Sequence, residues 1–270
     1  MCTSYFTSYQ LEYQTCSSWL GGLLEMKLLI DCDFVVYKCC AAAESEINFG
    51  DDVILVTSSF NDAYTCVKRE LDRIAKKFGS FDDMILFFSD SCNFRKDIVP
   101  SYKGNRQRKK PCGYRRVINK LKNDYKVIRM PWLEADDSMG VYSTENTGNI
   151  IVSPDKDMKQ IPGMLWNFDE TFTITKSEGA KWHLIQSLAG DNTDGYKGLE
   201  GFGIKKATAL FEKKGYSWKT VVDAFNEKGL SEDAALENAR LARILTTEDY
   251  DYEKREPILW SPSADYRVDD

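Results

Sequence analysis

At 270 residues, with 43% hydrophobic and 29% charged side chains and a formal net charge of −6, the chain has the make-up of a folded globular protein rather than a disordered or fibrous one. No apolar run approaches the roughly 20 residues that span a bilayer. Eight cysteines without CxxC pairing and a single histidine, His183, argue against a zinc centre and leave free thiols in a reducing cytoplasm as the expected state.

Residues 1–25 contain no Lys or Arg, so they lack the basic start of a signal peptide and the arginines of a transit peptide. They are rich in Ser, Thr and Tyr without a clear period, and read as a non-core extension in front of Met26, a candidate true start. A strand is expected over 27–32, a helix over 33–45, and a helix over 59–78 whose apolar face includes Phe60, Ala63, Val67, Leu71, Ile74 and Phe78. Strand 83–89 and a short helix precede an exposed segment around 101–112 that has Gly104, Pro111 and little apolar content. A helix near 113–123, strand 125–130, helix 134–145, strand 149–153, a short helix at 155–160 and a strand around 164–168 follow. From Ser177 onward the pattern is helical, over 177–189, 203–214, 217–227 and 231–246. This order predicts an α/β fold with a mainly parallel central sheet flanked by helices, a main domain over 26–176 and a helical part over 177–270.

Acids recur where the hydrophobic runs end. Asp31 follows Leu28-Leu-Ile30, Asp90 follows Ile85-Leu-Phe-Phe-Ser89, Glu134, Asp136 and Asp137 follow the run that ends at Trp132, and Asp155 and Asp157 follow Ile150-Ile-Val-Ser-Pro154. Each run is apolar on both faces, as a strand buried in a parallel sheet should be, and ligands of such sheets sit beyond the carboxyl ends of the strands. Carboxylates delivered to one edge repel unless protonated or neutralised by cations. Hard divalent ions, Mg²⁺ or Mn²⁺, suit an all-oxygen site, so the chain reads as a metal-dependent enzyme acting on phosphates.

The acidic total hides a basic block. Between Arg95 and Arg129 the chain carries Arg95, Lys96, Lys103, Arg106, Arg108, Lys109, Lys110, Arg115, Arg116, Lys120, Lys122, Lys126 and Arg129 against Asp97 and Asp124 alone. A local block of this kind is either a solvated surface or a footprint for a polyanion. Further on, Gly190-Asp-Asn-Thr-Asp194-Gly195 supplies more acids. It fails as a calcium loop, because positions 6 and 12 counted from Asp191 are Tyr196 and Phe202 where Gly and Glu are required. Gly198-Leu-Glu-Gly201-Phe-Gly203 leads into a helix carrying Lys205 and Lys206. Such a turn suits a phosphate, although a capped loop would look similar.

Taken in order, Leu28-Leu-Ile-Asp31, Phe88-Ser-Asp90, Tyr102-Lys-Gly-Asn-Arg106, Glu134-Ala-Asp-Asp137, Asp155-Lys-Asp157, Gly190-Asp-Asn-Thr-Asp194 and Gly203-Ile-Lys-Lys-Ala207 resemble the structure-specific 5′ nucleases, the flap endonuclease family, over roughly residues 27–247. Trp182-His-Leu, Asp194-Gly-Tyr and Leu241-Ala-Arg-Ile-Leu make the chain most similar to the 5′→3′ exonucleases of short-tailed bacteriophages. The resemblance implies a PIN-like, resolvase-like sheet, a basic helical arch near 95–123 and a C-terminal helix–turn–helix element that holds duplex DNA. It implies two Mg²⁺ or Mn²⁺ ions, one held by Asp31, Asp90, Glu134 and Asp136 with Asp137 nearby, the other held or supported by Asp155, Asp157, Asp191 and Asp194. Lys103 and Arg106 would face the scissile phosphate as catalytic residues. Tyr102, Arg95, Lys109, Lys110, Gly201, Gly203, Lys205 and Lys206 would contact DNA, with K⁺ on the carbonyls of the glycine turn. Implied partners are double-stranded DNA with 5′ ends, nicks or flaps, and an RNA–DNA hybrid in primer removal. No membrane is implied, and a viral product would act in the host cytoplasm. Two departures stand out: Cys32 replaces the Gly that usually follows the first Asp, and Asn192-Thr193 replaces a Ser-Asp-type pairing.

Two other functions compete. Asp31-Cys-Asp33 after a strand, with Gly190-Asp191 and Asp194, resembles the acids of a haloacid-dehalogenase-like phosphatase, but leaves Glu134-Ala-Asp-Asp137 and the basic block unexplained. A catalytically silent DNA-binding protein would not gather acids near a polyanion without cations among them. Deletion of residues 1–25 should leave turnover and melting temperature unchanged, as thermal denaturation and a nuclease assay of the truncated chain would show.

Overall fold

The computed structural model describes residues 25–105 and 109–269. Its centre is a six-stranded sheet in the order β5-β4-β1-β6-β7-β8, built from β1 (Lys27–Asp31), β4 (Asp83–Phe87), β5 (Lys126–Ile128), β6 (Ile150–Val152), β7 (Gly163–Trp166) and β8 (Thr171–Ile174). All neighbours run parallel except β7 and β8. Central β1 shows why the runs are apolar throughout. Leu28 and Ile30 pack on one face with α1 (Cys32–Ala42), α2 (Phe60–Phe78) and α4 (Tyr114–Asp124), whereas Leu29 packs on the other with Ile85, Phe87 and α5 (Ala135–Glu145). Both faces are covered, so alternation of polar and apolar residues disappears. β1 lies between β4 and β6, so β4 and β5 are added on one side of it and β6 and β7 on the other. A crevice opens beyond the strand ends at that point.

The mainly parallel sheet and its flanking helices agree with the sequence reading, and three details differ. The first helix ends at Ala42, not 45, because the chain turns into a hairpin of β2 (Glu44–Asn48) and β3 (Ile54–Ser58). Its turn places Gly50, Asp51 and Asp52 at positive φ, a glycine–aspartate signal that the helical reading passed over. The sheet also gains antiparallel β8. Thirdly, the basic segment is anchored at both ends. The four-residue α3 (Arg95–Ile98) begins with a buried arginine, Tyr102 is buried, and Val117, Ile118 and Leu121 of α4 lie in the core.

Residues beyond β8 form α6 (Lys176–Ala189), α7 (Ile204–Lys214), α8 (Trp218–Asn226) and α9 (Glu232–Ala242), which share a core of Leu184, Leu188, Phe211, Trp218, Val221 and Phe225. From Ala242, the last residue of α9, a strap over residues 242–245 runs against α5 and is clamped to two elements. Arg95 spans it on one side. Its guanidinium makes a bidentate pair with Asp137 at 2.7 and 2.8 Å and donates to the carbonyls of Leu241 at 3.0 Å and Arg243 at 2.5 Å. The Leu245 N–H donates to Asp137 at 3.2 Å. Glycine lets the strap approach: a Cβ on Gly140 of α5 would lie 2.3 Å from the Leu245 carbonyl oxygen. Among the described residues no helix is long and apolar enough to cross a membrane.

Arg95 and Asp137 are 1% and 0% exposed, so removing one partner strands the other as a buried charge. Asp137→Ala should cost about 3–5 kcal/mol, whereas the paired replacement Arg95→Met with Asp137→Leu should cost much less. Urea denaturation of both variants checks this, and equal losses would contradict it.

Candidate active site

The crevice beyond β1, β4, β5 and β6 is a cleft of about 1000 Å³ whose walls include Asp31, Asp90, Lys103, Glu134, Asp136, Asp155, Asp157, Asp191 and Asp194. Eight of the nine acids expected to serve metals therefore meet in one place. The exception is Asp137. It caps α5 through the Glu134 N–H, at 3.3 Å, and is sequestered by Arg95, so its expected place beside a metal is corrected to a structural one.

Each acid is placed by its own local rule. Asp31 ends β1 and caps α1, accepting from the Phe34 N–H at 3.2 Å and from the Ser153 hydroxyl at 2.9 Å. Asp90 accepts from the Trp132 N–H at 3.1 Å, which ties the end of β4 to the loop before α5. Glu134 is the N-cap of α5 and puts Asp136 in its first turn, where negative charge meets the positive end of the helix dipole. Asp155 caps the 3₁₀ turn Lys156–Gln160 through the Asp157 N–H at 2.8 Å. Asp191 accepts from the Thr193 N–H at 2.7 Å.

Crowding shows in the proton affinities. Burial, followed by repulsion from Asp33, pushes the Asp31 carboxyl up to about 7. Burial, followed by Asp155, pushes Asp157 up to about 7 as well. Asp136 is raised well above the usual carboxylate range by burial and then by Asp31, Asp155 and Glu134, and Asp155 is raised, chiefly by burial. Glu134 goes the other way. Burial would raise it, but Lys103 and Arg95 outweigh that and hold it below its ordinary value.

Lys103 is the cation at the centre. Its ammonium lies 2.5 Å from Glu134 and 3.4 Å from Asp194. Its backbone, at φ 55°, donates to the Asp194 carbonyl at 2.7 Å, so the basic turn is docked on the 191–194 acid loop. Asn105 secures the same contact through the Asn192 carbonyl at 2.9 Å. Arg106, the other expected catalytic residue, lies outside the described residues.

Two expected DNA contacts are buried instead. Tyr102 is 2% exposed and its hydroxyl lies 3.1 Å from both Glu134 and Asp194, so it bridges acids from two loops. Arg95 has no accessible donor, being committed to Asp137, Glu134 and the strap. Lys109, Lys110, Gly201, Gly203, Lys205 and Lys206 are exposed, and Lys110 reaches the cleft wall. Gly201 has φ +78°, and the Lys206 ammonium rests 4.3 Å over the Phe202 ring. Asp33 accepts from the Ser89 N–H at 2.8 Å and from the Tyr114 hydroxyl at 2.5 Å, joining α1 to the loop after β4 and to α4. His183 is fully buried, 2.8 Å from the Ala239 carbonyl, and burial drops its pKa to about 3. It packs in the interior and offers no base to the cleft.

Residues 27–178 match the family model described as the N-terminal resolvase-like domain of 5′-3′ exonucleases. The chain belongs to the 5′-3′ exonuclease family. Curated relatives run nearly its full length. It is 29% identical to the exodeoxyribonuclease of Enterobacteria phage T3 over 88% of this chain and 93% of that protein. It is 28% identical to the exonuclease of Escherichia phage T7, over 87% and 93%. The fold also matches the T5 5′-exonuclease solved with divalent zinc ions, at a TM-score of 0.61 and 16% identity, covering 81% of this chain and 89% of that one. As a 5′-3′ exonuclease the protein is a nuclease, and the phosphatase reading of Asp31-Cys-Asp33 gives way. The bonds that occupy both oxygens of Asp33 are consistent with this.

The donor set of the family site fits hard cations: it is all-oxygen, crowded and short of counter-charge. Among the described residues no three acids already stand at ligating distance. Lys103 is inserted between Glu134 and Asp194, and Lys156 lies 3.1 Å from Asp191. The Asp31 and Asp157 carboxyls are pushed up to about 7 in the folded chain, whereas an unfolded aspartate releases its proton near pH 4. Acids with raised pKa values add stability at low pH that is lost as pH climbs through the folded pKa. In chelator the melting temperature should therefore fall between about pH 4 and about pH 7, and Mg²⁺ should restore it at the upper end. A flat profile would show that the acids are not crowded.

Proposed function

We propose that this 5′-3′ exonuclease hydrolyses phosphodiesters of double-stranded DNA at 5′ ends, nicks and flaps, by a mechanism that uses two Mg²⁺ or Mn²⁺ ions. One observation carries the reading: eight acids from four strand ends and the 191–194 loop share a cleft with a lysine. Asp31, Asp90, Glu134 and Asp136 would hold one ion, and Asp155, Asp157, Asp191 and Asp194 would hold or support the other. When bound, such ions activate a water and stabilise the leaving oxygen.

The chain's own residues set the rest. Lys103 stands among the acids, between Glu134 and Asp194, where its ammonium can neutralise charge growing on the attacked phosphate. Arg106, three residues on, is proposed for the same task. Tyr102, buried beneath Lys103, keeps Glu134 and Asp194 at a fixed spacing. Lys109 and Lys110 carry the polyanion footprint towards α4. Gly201, Gly203, Lys205 and Lys206 offer a helix start to duplex backbone in a helix–turn–helix arrangement of α6 and α7, with K⁺ on the turn carbonyls. Residues 177–270 thus act as the duplex-holding part and 26–176 as the hydrolytic part, with the arch over 95–123 between them. Support for the DNA reading comes from the bacteriophage T5 flap endonuclease solved with DNA and metal ions, which shares this fold at a TM-score of 0.59. An RNA–DNA hybrid presents the same 5′ strand end and is a further substrate. The host cytoplasm suits the thiols of Cys32, Cys39, Cys40, Cys66 and Cys112, which are unbridged.

Digestion of 5′-end-labelled duplex, flap and hybrid substrates tests the reading. Products should appear only with Mg²⁺ or Mn²⁺ and vanish on chelation, and Asp155→Asn or Glu134→Gln should lose turnover while retaining DNA; full activity in EDTA sinks the proposal. Lys103→Ala or Arg106→Ala should slow single-turnover cleavage by at least about a hundredfold, while changes at Lys109 and Lys110 mainly alter affinity and its salt slope. Equal effects at all four positions would reduce the block to a polyanion patch.

A further inference from the structure

A chain of two buried glutamines runs from the cleft acid Asp157 into the interior. Gln160 ends the 3₁₀ turn and Gln186 lies on α6; they are 5% and 2% exposed. The Gln160 amide nitrogen donates to the Ala242 carbonyl at 2.6 Å, and its oxygen accepts from the Ile244 N–H at 3.0 Å. Both partners are backbone groups of the strap and cannot exchange roles, so the orientation of the Gln160 amide is fixed. The same nitrogen donates to the Gln186 oxygen at 2.7 Å. That leaves the Gln186 nitrogen to donate forward, and it does so to Asp157 Oδ1 at 2.5 Å. A one-way relay runs from strap backbone to a cleft carboxylate.

The relay is held at a fixed distance. Gly179 of α6 lies against the Gln160 backbone so closely that a Cβ there would stand 2.2 Å from the Gln160 carbonyl oxygen. α6 therefore rests directly on the 3₁₀ turn that carries Asp157, and the two glutamines meet without slack. A buried donor aimed at one carboxylate oxygen favours the ionised form and leaves the second oxygen directed elsewhere.

We propose that Gln186, held by Gln160 and through it by the 242–245 strap, is a positioning residue that orients Asp157 for its metal ion. The inference rests on the reading of Asp157 as one of the metal-holding acids. Outer partners of ligating carboxylates fix their orientation, and their removal lowers metal affinity by about 10–100-fold. Gln186→Met keeps the length and volume of the side chain and deletes the donor. Gln160→Met leaves Gln186 in place but frees its amide to turn, so the same loss should appear in weaker form.

The test is calorimetric titration of the metal-stripped full chain with Mn²⁺ in the absence of DNA, alongside the Mg²⁺ dependence of duplex cleavage. For Gln186→Met one of two Mn²⁺ ions should bind about tenfold or more weakly. The Mg²⁺ needed for half-maximal cleavage should rise in step, with most of the rate recovered at saturation. Melting temperature in EDTA separates this from general loosening: a fall with both ions weakened alike overturns the proposal. So does Mn²⁺ affinity within twofold of the parent in a folded Gln186→Met. Should that variant not fold, Gln160→Met decides by the same criteria. A parent chain that takes up no Mn²⁺ overturns the metal reading of the cleft, and the relay's role with it.

Discussion

The constraint on which this structure turns is repulsion among carboxylates that a parallel sheet delivers to one edge. Asp31, Asp136, Asp155 and Asp157 all take up protons more readily than ordinary acids, because burial and one another leave them little compensation. Left to itself such an edge would spread apart. The fold holds it together from behind and from above. Behind it, Arg95 locks α5 to the strap through Asp137. Above it, Lys103 bridges Glu134 and Asp194. The acids keep their positions because other charges and caps are spent around them.

This division explains why neighbouring acids have unlike environments. Asp136 and Asp137 are adjacent in the first turn of α5, Asp136 half-buried at the cleft and Asp137 fully buried, and only Asp137 meets a guanidinium. Asp136 faces Asp31 and Asp155 and remains short of counter-charge. One residue serves the fold and the other the cleft. Glu134 belongs to both groups, touching Arg95 at 3.4 Å and Lys103 at 2.5 Å.

Much of this was legible in the sequence for a simple reason. A strand buried on both faces must be apolar throughout, so the acid that follows it is conspicuous, and six of the seven acids singled out that way line one cleft. The residues misread were those whose partners lie far along the chain. Arg95 looked like part of a basic surface, and nothing local in Arg95-Lys-Asp97 reveals that it reaches Asp137 and Arg243 instead. Tyr102 likewise meets Glu134 and Asp194 only in three dimensions. The 44–58 hairpin was missed although Gly50-Asp51-Asp52 signalled its turn, because the run from Cys32 to Ala43 carried the helical reading past its true end. Gln186 offered a faint signal, a lone amide among Leu184, Ile185 and Leu188, and Gln160 offered none.

The 242–245 strap has a consequence in time rather than in space. Its contacts join residues far apart along the chain: Arg95 with Arg243, Asp137 with Leu245, Gln160 with Ile244. Pairings of such long range form late, since the loops they close must first be ordered. During synthesis from the N-terminus, the sheet and its acids are complete well before Leu245 emerges. Until then the backing of both acid sets is missing, so a nascent or truncated chain holds every acid of the cleft without the brace that fixes them in place.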